Sequence, residues 1–216
     1  PSALIPVPYT IPGERVRAVL PQRKRRGKGR EARLLEVVEP HASRVDARCV
    51  HFSRCGGCTW QHVDYGEQLA AKEAHVKACF RAAGLDEQLV KPVIGMSAPW
   101  HYRNKMEFTF SPEGRLGLHA QGDFRTVIPL EECFIAGEEM VEAVRTVAQW
   151  ALEHGLKGYD KLSHEGLLRH LMVRQSLATK ELMVALFATE PPDDGTGIPP
   201  SAVEALAARL RERCST

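Results

Sequence analysis

Cys49-Val50-His51-Phe52-Ser53-Arg54-Cys55-Gly56-Gly57-Cys58 packs three thiols into one short loop at the spacing C-x5-C-x2-C, and Thr59-Trp60-Gln61-His62 follows at once. Cysteines this dense usually hold a metal. The fourth ligand expected from the pattern is Cys133, far downstream, so the site is a tertiary one that intervening elements must fold back to complete. Gly56 and Gly57 suit a wrapping loop, which calls for positive φ and close backbone approach.

Three readings of these thiols remain open at this stage. Zinc sites usually show two short pairs, and no second pair accompanies Cys55 and Cys58. A short triplet with one remote cysteine looks more like ferredoxin-type ligation. A disulfide network would need an oxidising compartment, yet the sequence shows no apolar signal segment, and 216 residues can bury a core without staples. Iron–sulfur is therefore favoured over zinc, and zinc over structural cysteines. Cys79 falls beside Phe80 on the apolar side of a helix and reads as a small core residue. Trp60 and His62 read as shielding residues rather than stacking groups or ligands.

Working outward, the composition is that of a globular chain, with 44% hydrophobic and 26% charged residues and a net charge of +2. No apolar run is long enough to span a bilayer. The informative charge is local. Between a strand around Val16 and Ala18 and a second at Ala32 to Val38 lies a loop carrying Arg23, Lys24, Arg25, Arg26, Lys28 and Arg30. Oligonucleotide-binding barrels present such loops, and flexible cations gain affinity by displacing counterions from phosphate. Contact with nucleic acid is favoured over a merely solvated surface.

Downstream of the cysteines, Asp64-x-x-Glu67 has the form of a capping box, with Leu69, Val76 and Phe80 at helical spacing until Gly84. Residues 103 to 110 alternate, with Met106, Phe108 and Phe110 on one face and Arg103, Lys105, Glu107 and Thr109 on the other. Ser111 to Gly114 is a turn, Leu116 and Leu118 continue a partner strand, and a third strand at Thr126 to Leu130 leads into Cys133. Met140, Val141, Val144, Val147, Ala148 and Ala151 form a helical stripe. Strands follow near Leu167 to Gln175, where Arg169, His170 and Arg174 face solvent or a polyanion, and near Glu181 to Ala188. After a turn-rich linker, Ser201-x-x-Glu204 is expected to cap a last helix. Elements mixed in this order predict an α+β architecture. Nucleotide-binding, metalloprotease and hydrolase signatures are absent.

Taken together, His51-Phe52, Cys55-Gly56-Gly57-Cys58, Trp60-Gln61-His62, Gln68-Leu69, Lys72, Pro99-Trp100-His101-Tyr102-Arg103-Asn104-Lys105, Cys133 and the strand Leu168 to Arg174 resemble the iron–sulfur branch of the RNA uracil-C5 methyltransferases, which make 5-methyluridine. The resemblance implies an N-terminal TRAM-like oligonucleotide-binding β-barrel at 1–48, N-terminally incomplete. It implies a central antiparallel-sheet domain at 49–216, with flanking helices and a cluster loop. A [4Fe–4S] cluster would sit on Cys49, Cys55, Cys58 and Cys133. The third domain of that family binds S-adenosyl-L-methionine and carries the nucleophilic cysteine and the glutamate base. It is expected to lie outside this chain, so no catalytic residue is assigned, and Cys214 is not a nucleophile. The fragment is expected to be inactive alone, monomeric and cytoplasmic, away from membranes, and to grip RNA through the basic loop, Arg103 and Lys105. The substrate implied is 23S ribosomal RNA, with transfer RNA as the alternative, because transfer-RNA members of the family commonly lack the cluster. A stand-alone RNA-binding module is the rival, holding either a cluster or zinc, the latter with His62 able to replace Cys133.

Overall fold

In the computed structural model the described residues are 4–20, 31–190 and 197–214. They fall into two compact units, one of residues 1–48 and 59–97, the other of residues 49–58 and 98–216. The cysteine loop thus belongs with the downstream residues, whereas Thr59–Ser97 groups with the N-terminal ones.

In the first unit, β1 (Arg15–Val19) pairs antiparallel with β2 (Arg33–Glu39) through a register broken by two bulges. The pair is a two-stranded sheet; no closed barrel is formed among the described residues. The basic loop from Arg23 to Arg30 lies outside the described residues. Below the pair sits a polar clasp. The Glu14 carboxylate accepts from Arg44 Nε at 2.5 Å and Nη2 at 2.8 Å, and from the backbone N–H groups of Ile11 and His41. Arg44 also donates to Tyr9 O at 2.8 Å. The Glu14 side chain is 1% exposed and that of Arg44 21%. The guanidinium, acting first through its hydrogen bond, holds the Glu14 carboxyl at about 2 against an ordinary 4.5.

The helix α1 (Tyr65–Ala82) begins where expected, with the Asp64 side chain accepting from Gly66 N and Glu67 N. It buries none of its residues, and this corrects the reading of Cys79, which is exposed. Val76 is exposed too; Leu69 and Phe80 are half-buried. The apolar positions are too few to make a core-facing stripe. A 3₁₀ turn at Glu87–Leu89 follows.

The second unit is built on a five-stranded antiparallel sheet, order β5-β4-β3-β6-β7. These strands are β3 (Lys105–Phe110), β4 (Leu116–Ala120), β5 (Asp123–Pro129), β6 (Leu168–Gln175) and β7 (Leu182–Ala188). The alternation in β3 does what it implies: Met106, Phe108 and Phe110 are buried, and Lys105 and Glu107 are exposed. The turn between β3 and β4 closes with Gly114 N donating to Ser111 O at 2.8 Å, at a φ of +83° that glycine adopts without strain.

Against the apolar face packs α2 (Glu138–Glu153), which buries Met140, Val141, Val144, Val147, Trp150 and Ala151 among others. Then comes α3 (Pro200–Arg213), whose Ala202 and Leu206 are buried. Trp150 joins the two helices by donating from Nε1 to Ala202 O at 2.9 Å. The expected Ser201 cap does not form. The helix starts two residues earlier, with Pro199 as N-cap and Pro200 in the first turn, where a missing N–H is no loss. Among the described residues no helix is long and apolar enough to cross a membrane.

A candidate four-thiol site beside an open sheet face

All four expected ligands lie in the second unit. Backbone pairing delivers the loop to the sheet: Cys55 bridges Ala120, Gly56 N donates to His119 O at 2.9 Å, and Gln121 N donates to Arg54 O at 3.0 Å. A Cβ on Gly56 would meet His119 O at 3.1 Å, so the glycine serves close approach. Neither Gly56 nor Gly57 has a positive φ; in this loop Ser53 takes that conformation, at +68°. The expectation of left-handed glycines is corrected accordingly.

Cys133 arrives on a separate route. The segment Trp100 to Arg103 runs beside Phe134 to Ala136, with His101 N donating to Phe134 O (2.8 Å), Arg103 N to Ile135 O (2.9 Å), and His101 Nδ1 to Ala136 O (2.6 Å). The buried His51 then ties loop to segment, since its Nε2 accepts from Glu131 N at 3.1 Å, while Val50 N donates to the Glu132 carboxylate at 2.7 Å. Sequence reasoning missed Glu131 and Glu132. Their only signal is adjacency to Cys133, which any surface carboxylate could share.

The thiols interact without being drawn into a shell. Burial pushes Cys49 up, and charge on Glu132, then on Cys133 and Cys58, adds to it. Cys133 is pushed up by burial and by charge on Cys58 and Cys55, and Cys55 by burial and by charge on Cys58. Among the described residues no group of three or more His, Cys, Asp or Glu side chains stands arranged to hold a metal ion.

The donor set nevertheless suits an iron–sulfur cluster chemically. Cys55 Sγ accepts from Gly57 N at 3.4 Å, Cys49 from the His51 backbone, and Cys133 from the backbone of Ile135 and Ala136. N–H groups aimed at sulfur favour the thiolate, and hydrogen bonds to sulfur are a lever on cluster potential. The thiolates of Cys49, Cys55 and Cys133, which burial disfavours, need a compensating cation, and a cluster's iron would supply it. All six cysteines are free. His62 belongs to the first unit, buried edge-on to Tyr9 at 6.2 Å. Cys214 is buried at the end of α3, its thiol facing Glu139 O at 3.7 Å.

Of the basic residues that can be placed, Arg103 and Lys105 are both exposed. Lys105 pairs with Glu107 at 2.8 Å, a solvent-exposed contact that holds neither side chain tightly. Arg174 lies across from Lys105 on the same face, whereas Arg169 caps the Tyr159 ring at 5.0 Å.

No protein-family model matches the chain. It is 39% identical over 191 residues to an uncharacterized RNA methyltransferase of Protochlamydia amoebophila, covering 87% of this chain and 42% of the relative. It is 38% identical over 185 residues to another of Halalkalibacterium halodurans, covering 83% and 40%. This chain is similar to RNA methyltransferases over most of its length. It spans about two fifths of the length of these curated relatives. Its fold matches the crystal structure of the Pyrococcus abyssi tRNA (uracil-54, C5)-methyltransferase in complex with S-adenosyl-L-homocysteine, with a TM-score of 0.66 at 23% identity, over 92% of this chain and 43% of that one. That likeness is one of fold.

Proposed function

We propose that this chain is the RNA-recognition and iron–sulfur part of an S-adenosyl-L-methionine-dependent methyltransferase that acts on C5 of a uridine in 23S ribosomal RNA. Cys49, Cys55, Cys58 and Cys133 hold a [4Fe–4S] cluster. The observation that carries this reading is the donation of backbone N–H groups to three of the four thiols, Cys49, Cys55 and Cys133, in a chain similar to RNA methyltransferases. The methyl donor and the attacking cysteine belong to a domain outside residues 1–216, so the chain alone is inactive, a cytoplasmic monomer. Arg23, Lys24, Arg25, Arg26, Lys28 and Arg30 contact phosphate, and Arg103 and Lys105 add contacts near the cluster loop. The target base is extruded from folded RNA before attack, because stacking hides both faces of a pyrimidine.

In this reading the cluster is structural. His51, Glu131 and Glu132 already clasp the loop to the Cys133 segment, and ligation fastens the same junction. The test is iron, acid-labile sulfide and zinc content of protein purified without oxygen. Iron and sulfide in equal amounts, about four of each per chain, are expected for a [4Fe–4S] centre. Zinc without sulfide would replace the reading with a zinc-stabilised RNA adaptor. The fold likeness to a transfer-RNA enzyme makes transfer RNA the competitor in a binding assay against a 23S fragment.

A further inference from the structure

We propose that the open face of the five-stranded sheet is a stacking platform for unpaired RNA bases, with Phe187 as the stacking ring and Arg174 and Lys105 as phosphate contacts. The proposal rests on the RNA-binding reading above and goes beyond it in naming the surface and the form of RNA.

Strand register defines the face. Phe187, His170 and Thr109 form one row across β7, β6 and β3; Ala185, Met172 and Glu107 form the next; Met183, Arg174 and Lys105 form the third. The opposite face carries Phe108, Leu171 and Val173, all fully buried under the helices. Phe187 is 49% exposed and Met183 46%; Met183 pairs with Arg174 in the regular part of the ladder, and Phe187 pairs with His170 beside the register shift between Leu168 and His170. Aromatic rings on a sheet, bordered by cations, are how single strands are gripped without sequence readout, since every base offers a π face.

The polar members fit the same occupant. The Thr109 hydroxyl lies 3.0 Å from His119 Nε2 and 3.4 Å from His170 Nδ1, linking the two imidazoles across the face. Burial, with Arg169 and Lys161 nearby, keeps His170 below its ordinary value, leaving a neutral ring able to lie against a base. Glu107 opposes phosphate, but Lys105 covers it at 2.8 Å. Cations and imidazoles interrupt the apolar side chains too often for a dry protein interface, which excludes charge from its centre. The cysteine loop pairs with β4 of this sheet, Gly56 N donating to the His119 carbonyl.

Anisotropy of a short fluorescein-labelled oligouridine, and of an RNA duplex of equal length, tests this with the 216-residue protein. Wild type is expected to prefer the single strand. Phe187→Ala should weaken that binding about tenfold at unchanged salt dependence, and Phe187→Trp should restore it. Arg174→Ala should weaken binding and lower the log–log salt slope by about one. Equal affinity of Phe187→Ala and wild type, preference for the duplex, or weakening that Phe187→Trp does not repair would each overturn the platform while leaving RNA binding intact. Wild type that binds neither RNA would remove the RNA reading and the platform together.

Discussion

The helices α1 and α2 have 18 and 16 residues, yet α1 buries none of its side chains and α2 buries eight. The contrast extends to the units that hold them. The second unit has a continuous apolar core in which Phe108, Met140, Val144, Val147, Trp150, Leu168, Leu171 and Val173 are all essentially inaccessible to water. In the first unit, Ile11 and Ala32 are the buried apolar residues among those described. Its strands are joined instead to a buried carboxylate that takes donors from three places in the chain. One unit is held by packing, which is tolerant of pH, and the other by a charge pair, which is not.

The largest effect belongs to the packed unit. Phe108→Ala removes a fully buried ring from the central strand and leaves a cavity between sheet and α2, at a cost of about 3–5 kcal/mol. Urea melts followed by NMR should show the amides of β3 and β6 losing protection at a much lower midpoint than in wild type. If the amides of β1 and β2 shift by the same amount, the two units share one source of stability and the contrast fails.

Acid should pick out the other unit. Glu14 has its folded-state value depressed to about 2 from 4.5, so its contribution is fully present above pH 4.5 and is lost as pH falls from there toward 2. Integrated over that window the difference is roughly 3 kcal/mol. The β1 amides should lose stability through this range while those of β3 hold, and Glu14→Gln should abolish the slope along with the pair. A β1 midpoint independent of pH between about 5 and 2 would show that the clasp is not what holds the strands.

How much of this was legible depends on the range of the interaction. Alternation in residues 105–110 and the stripe in α2 are local patterns repeated over several turns or pairs, so strands, helix and buried faces could be read directly. The density of cysteines in the loop points to ligation; Cys133 falls in the same unit as the loop thiols, but among the described residues they form no arrangement that holds a metal. The Glu14–Arg44 clasp was not, since the partners are 30 residues apart and each alone is an ordinary surface charge. The same holds for His51 with Glu131, 80 residues apart. Trp150 is not among the apolar positions of the stripe, and its role is set by α3, which a pattern within α2 does not encode. β5 begins at Asp123 rather than Thr126, and the Asp123 carboxylate accepts from Arg125 N and Thr126 Oγ1 at the strand's start.

The smallest expected effect sharpens the contrast from the side of α1. Val76 sits in that helix at 41% exposure. Truncation to Ala gives up little buried area and removes a β-branched residue that helices disfavour, so the two changes offset to within about 0.5 kcal/mol. The helix keeps its Asp64 cap, its Glu73–Lys77 pair at 2.7 Å and Arg81 in its last turn, none of which depends on Val76. The same truncation at Val144 in α2, which is 1% exposed, should cost about 1.5–3 kcal/mol. Paired urea midpoints for Val76→Ala and Val144→Ala therefore measure the difference between the helices directly. A Val76 variant as damaged as the Val144 one would mean that α1 has an apolar neighbour that its exposure does not reveal.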